Sequence, residues 1–176
     1  MSKEKALEFF IAWFAKPIQS LDIDGGFVAF MVTLALYERL IHAKLQIKGK
    51  DTKSNFFDYM ATDLGLTLDE RRDFWDMFRH GMLHRGMPKI DKEKQKTTTG
   101  YIFQSDFSAY PEFKMYYGQP IICIDPTKFA ARILDEFIQS PELILLADLF
   151  PFPTVGPIDL NELKTRDSNL DSDETG

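Results

Sequence analysis

Residues 67 to 86 read TLDERRDFWDMFRHGMLHRG, and their reading decides the fold. Thr67 followed three residues later by Glu70 is a capping box: a hydroxyl for an orphan backbone N–H, and a carboxylate reaching back to the cap. A helix therefore starts here. It carries Phe74, Trp75 and Phe78 and runs straight into FRHGMLHRGMPK, residues 78 to 89, where Arg79, His80 and His84 crowd around Gly81 and Gly86.

Outward from that helix the same period recurs. Residues 5 to 15 predict a short amphipathic helix ending before Pro17, because proline disfavours a helical residue before it. Asp22 or Asp24 is positioned to cap a long helix running to about 47, with Phe27, Phe30, Met31, Leu34, Ile41 and Leu45 at helical spacing. Ser54 opens a shorter helix to about Ala61. The polar stretch 89 to 100 predicts an exposed loop. Beyond it the period shortens: residues 101 to 107 and 120 to 124 read as two strands joined by 110 to 118. Asp125-Pro126 and Ser140-Pro141 each start a further helix, the first carrying Phe129, Ile133, Leu134 and Phe137. The expected fold is mainly α, a bundle of four or more helices with a short two-stranded β insertion after the motif. Residues 1 to 156 form one domain, and 157 to 176, with six acids against two bases, a flexible acidic tail.

Composition limits the function. The chain has 176 residues, 44% of them hydrophobic and 16 of them Phe, enough for one packed core. Its single cysteine, Cys123, excludes an internal disulfide and any multi-cysteine zinc site, and in an apolar strand reads as inert core. The longest apolar run, 27 to 36, is too short to cross a bilayer, and no targeting segment is visible, so the expectation is a cytoplasmic protein with no membrane contact. The net charge is −6, yet 39 to 53 and 79 to 96 each carry a local excess of four positive charges. A positive cleft on an acidic protein still attracts phosphate.

Three readings compete for the motif. His80 and His84 share a helical face, as metal ligands would, but Gly81 stands where a zinc protease needs glutamate, so no metal or other cofactor is expected. Cations at a helix C-terminus are favourable on their own, by ~0.3–1 kcal/mol each, with Gly81 or Gly86 as the stop. That leaves unexplained why His84 follows Gly81. The third reading is a catalytic pair of Arg79 and His84.

Arg79, four residues, then His84 resembles the R-x(4–6)-H signature of HEPN domains, with polar His80 after the arginine. Phe-Arg-His-Gly-Met-Leu-His (78 to 84) is similar to a Phe-Arg-x-Gly-Leu-Leu-His form in some bacterial members, and the resemblance extends over roughly residues 22 to 140. It implies a helical bundle that pairs as a homodimer with its motifs at the two-fold. It also implies metal-independent endoribonuclease activity of toxin or defence type, by attack of the RNA 2′-hydroxyl on the adjacent phosphate, with a possible antitoxin partner. Such chemistry needs a proton shuttle near neutral pH, for which His84 is suited, and a fixed guanidinium against the phosphate oxygens, for which Arg79 is suited. His80 is a supporting residue. Arg85, Lys89, Lys92, Lys94 and Lys96 offer an RNA backbone track, or else a solvated loop. Tyr101, Phe103, Tyr110, Tyr116 and Tyr117 offer stacking rings, but packing is the better reading of them. Glu38 lies at the rim of the long helix's apolar stripe, free to orient Arg79 or to pair with His42 or Arg39; the pairing is the plainer reading. A second function of another class is a non-catalytic HEPN-like dimer binding a nucleotide, RNA or a protein.

One geometric conflict stands. Five residues on an ideal α-helix turn through ~140°, which puts Arg79 and His84 on different faces. Either the helix breaks near Gly81, or arginine and histidine meet across a dimer.

Overall fold

The computed structural model describes residues 1–21, 25–90, 93, 96–105 and 111–149, and all but the side chain of Leu83 among them. The expected caps Asp22 and Asp24, Lys92 and Lys94, Phe107, Tyr110, the Leu83 side chain and the acidic tail at 157–176 lie outside the described residues.

The fold is mainly helical, with a small sheet. Helix α1 comprises Lys3–Phe10, a π-helical stretch Ile11–Ala15 and Lys16–Gln19. It does not end before Pro17. Pro17 sits near the start of the last stretch, and the π-turn ahead of it absorbs the N–H that proline lacks. Helix α2, Gly26–Ile47, is the long central helix and buries Phe30, Leu34, Tyr37, Leu40, Ile41 and Leu45. Thr52 caps α3, Lys53–Leu64, which ends at Gly65 in the left-handed region. Helix α4 starts at the capping box, which forms in full: Thr67 accepts from Glu70 N–H, and Glu70 accepts from Thr67 N–H. It runs Leu68–Phe74, then π-helical Trp75–His80, then Gly81–Arg85, and stops at Gly86 (φ 71°).

Among the described residues three strands follow, not two: β1, Gly100–Phe103; β2, Glu112–Tyr116; and β3, Gln119–Ile124. Their order is β1-β3-β2, with β1 parallel to β3 and β2 antiparallel to it. The stretch expected as a connector supplies β2. Its turn into β3 is Tyr117-Gly118, both at positive φ (47° and 76°), the backbone a two-residue hairpin loop requires. Helix α5, Pro126–Gln139, is capped by Asp125, and α6 is Glu142–Leu146.

A small sheet needs a surface to bury its apolar face. Here that surface is α2 and α4: Phe103 meets Phe27 and Phe30, and Tyr101 meets Phe78 edge-on. Phe30 also meets Phe78 and Phe129, so α2, α4, α5 and the sheet share one aromatic core. Tyr37 lies fully buried in it and donates to Asp63 (2.6 Å), which also holds Arg132. Burial, then the nearby Asp63 charge, pushes the Tyr37 phenol far above its ordinary value, so it stays a neutral donor.

Helix α2 is the one described helix long and apolar enough to cross a membrane, with a mean hydropathy of 1.3 over its most apolar window. Half of that window is buried inside the protein.

Candidate functional site

The second half of α4 builds the site. An i→i+5 ladder across Trp75–His80 puts more residues into each turn than an α-helix does. Residues five apart within it come round closer to the same face, and its last residues, Arg79 and His80, lead directly into the α-helical turn Gly81–Arg85 that carries His84. Arg79 and His84 meet within one chain, with Arg79 Nη1 3.4 Å from His84 Nε2. The helix does not break at Gly81, which corrects that expectation, and the two side chains come together within one chain.

Gly81 has a different task from stopping the helix. The chain after Gly86 turns back over α4, and Lys89 N–H donates to Met77 C=O at 2.9 Å. A Cβ on Gly81 would lie 2.3 Å from Lys89 N and 2.8 Å from Met87 O. Only glycine allows that approach.

Glu38 projects from α2 onto the guanidinium. Arg79 Nε donates to Oε2 at 3.1 Å and Nη2 to Oε1 at 3.3 Å, a two-pronged pair. Both side chains are about one-quarter exposed, at 25% and 24%, so the pair is shielded yet open on one side. The plainer expectation for Glu38, pairing with His42 or Arg39, does not hold. His42 pairs with Asp51 (2.8 Å), and Arg39 donates to Ala147 C=O (2.7 Å).

Hydrogen-bond chemistry constrains the imidazoles. Arginine only donates, so a hydrogen bond from Arg79 requires His84 Nε2 as its acceptor, in the tautomer with the ring proton on Nδ1. Asp76 only accepts, so His80 Nδ1, 3.1 Å from Asp76 Oδ1, carries a proton there. The two rings lie 6.2 Å apart between centroids. His80 and His84 are both exposed, so a ligand reaches each. The result is a continuous row, Glu38, Arg79, His84, His80, Asp76, presented on one surface. Asp76 was not singled out from the sequence, although its i, i+4 spacing to His80 was readable there.

The remaining candidates divide. Arg85 is exposed on the last turn of α4, beside the pair. Lys89 is half-buried, its backbone tied to Met77. Lys96 instead pairs with Asp69 at the start of α4 (3.4 Å), while buried Asp73 accepts from the Lys96 and Thr97 backbone N–H groups and the Thr97 hydroxyl at 2.6–2.8 Å. Asp73 thereby pins the far end of the loop to α4. Tyr101 and Phe103 pack into the core, whereas Tyr116 and Tyr117 lie against one another at the hairpin. Cys123 is buried, and that burial pushes its thiol above the ordinary value.

Among the described residues, no group of three or more His, Cys, Asp or Glu side chains is arranged to hold a metal ion. No protein-family model, curated protein or solved structure matches this chain.

Proposed function

We propose that this is a cytoplasmic, HEPN-like, homodimeric endoribonuclease of toxin or defence type, working without metal through Arg79 and His84. The observation that carries the reading is the Glu38–Arg79–His84 arrangement, an oriented guanidinium touching an exposed imidazole. It supplies the two groups that 2′-hydroxyl attack needs.

In the resting state Arg79 occupies the lone pair of His84 Nε2. A phosphodiester beside the guanidinium draws the Arg79 donors to its own oxygens and frees that lone pair. His84 Nε2 then takes the 2′-hydroxyl proton as the 2′-oxygen bonds to phosphorus. The bond from phosphorus to the 5′-oxygen breaks, and protonated His80 delivers a proton to the leaving oxygen. The products are a 2′,3′-cyclic phosphate and a 5′-hydroxyl. Glu38 keeps the guanidinium plane fixed, and Arg85 and Lys89 flank the strand. No cofactor enters this sequence.

Two observations favour a second reading, a non-catalytic dimer binding a nucleotide, RNA or a protein partner. The chain is acidic, at −6, and Glu38 already neutralises part of the Arg79 charge. RNA cleavage in EDTA by the intact protein and by His84→Ala separates the readings. Cyclic-phosphate ends formed by the first and absent from the second support the nuclease; equal inactivity supports the binding module. Growth inhibition on overexpression, relieved by His84→Ala, tests the toxin setting and opens a search for an antitoxin.

A further inference from the structure

Two depressions meet beside the row of site residues. One, of about 510 Å³, is lined by Lys53, Phe57, Arg71, Arg72, Trp75 and His80, with Leu68, Asp69 and Asp76. The other, of about 320 Å³, reaches Glu38 and His42. They share Lys53, Phe57 and Trp75. The groove thus passes over two aromatic rings. It touches the row at His80 on one side and at Glu38, the partner of Arg79, on the other.

We infer that this groove is a nucleotide-binding subsite, taking one nucleoside of single-stranded RNA next to the bond being cleaved. The inference rests on the nuclease reading for its place in a reaction, but not for binding.

The chemistry fits a nucleotide better than a bare anion. Phe57 is partly buried and meets the buried Trp75 edge-on at 6.1 Å, so Phe57 is the ring on which a base can stack, with Trp75 beneath it. The Arg71 guanidinium lies 5.7 Å from the Phe57 ring centre and is held by Asp58 at 2.7 Å, which stiffens that wall. Arg72, 60% exposed, makes only a loose 4.0 Å contact with Asp76, and exposed Lys53 stands between the two depressions. These two cations are placed to take a phosphate oxygen. The lining holds three permanent cations against Asp69 and Asp76, and those carboxylates are occupied by Lys96, His80 and Arg72. A volume near 500 Å³ lies in the ordinary range for a small-molecule site.

The test uses fluorescence. The chain has two tryptophans, so Trp13→Phe leaves Trp75 as the sole reporter in the full-length protein. Three probes are titrated: the 2′-deoxy dinucleotide of adenine, which has no 2′-hydroxyl to attack; adenosine; and inorganic phosphate. Saturable quenching by the dinucleotide is expected, with weaker quenching by adenosine and none by phosphate. Arg72→Gln and Lys53→Gln should each raise the dinucleotide Kd about fivefold, as loss of an exposed charged donor does. Absence of saturable quenching overturns the inference, as does an equal response to phosphate alone or a Kd unchanged in both variants. RNA cleavage by the same Trp13→Phe protein is measured in parallel. Cleavage without quenching sinks the groove and leaves the nuclease standing; quenching without cleavage keeps the groove and sinks the nuclease.

Discussion

At the scale of residues, Glu38 is the informative one. It reaches Arg79 from another helix with two oxygens, and its loss should cost orientation more than stability. Glu38→Gln is expected to lower RNA cleavage by up to a hundredfold, the size of effect that misplacing a reacting group produces. The pair, open on one side to solvent, contributes only about 1 kcal/mol to folding, so the melting temperature of the variant should fall by a few degrees. A variant with full activity would remove Glu38 from the site. Cys123 gives a pH test. Burial raises its thiol, so little thiolate is present at pH 8, and alkylation by iodoacetamide should be far slower than for a free thiol until the pH climbs well above the ordinary thiol range or the protein unfolds. Fast labelling of the native protein at pH 8 would contradict the burial. Arg79, His84 and His80 were all legible in the sequence, because cations packed around two glycines are conspicuous. The grip of Glu38 on Arg79 was legible only as the less favoured of two readings, since its competitors His42 and Arg39 were nearer along the chain and their own partners, Asp51 and the Ala147 carbonyl, were supplied by tertiary packing.

At the scale of elements, the capping box at Thr67 and the apolar stripe of α2 identified their helices directly, since both signals are local. The π-helical stretch in α4 has no comparable signature. It trades i→i+4 bonds for i→i+5 bonds where packing demands it, and the ~140° separation computed for Arg79 and His84 assumed that no such trade occurred. Strand β2 was missed for another reason. Glu112, Phe113, Lys114 and Met115 alternate polar and apolar, and Tyr117-Gly118 follows as a turn, but the pairing of β1 with β3 is parallel and long-range, so two apolar runs overshadowed the third. The hairpin offers a check on its own geometry. Tyr117 holds φ 47° and is 90% exposed, a conformation that asparagine tolerates better than tyrosine. Tyr117→Asn should raise stability by about 0.5–1 kcal/mol in urea unfolding; a loss of stability would mean that the turn is of another type.

At the scale of the whole molecule, the aromatic core joins α2, α4, α5 and the sheet and lies beneath the site, while the row from Glu38 to Asp76 and the adjoining groove stay open. Because Arg79 and His84 meet within one chain, mixed dimers of Arg79→Ala and His84→Ala in the proposed homodimer should remain inactive. Recovery of cleavage in the mixture would mean that the pair works across the two-fold instead. The central claim, metal-independent cleavage by Arg79 and His84, is tested most directly by incubating the purified protein with single-stranded RNA in EDTA and identifying the ends. The account predicts 2′,3′-cyclic phosphate and 5′-hydroxyl termini from the intact protein, and at least a hundredfold less product from Arg79→Ala and from His84→Ala. Cleavage that persists in both variants, disappears in EDTA, or leaves 3′-hydroxyl ends would contradict it.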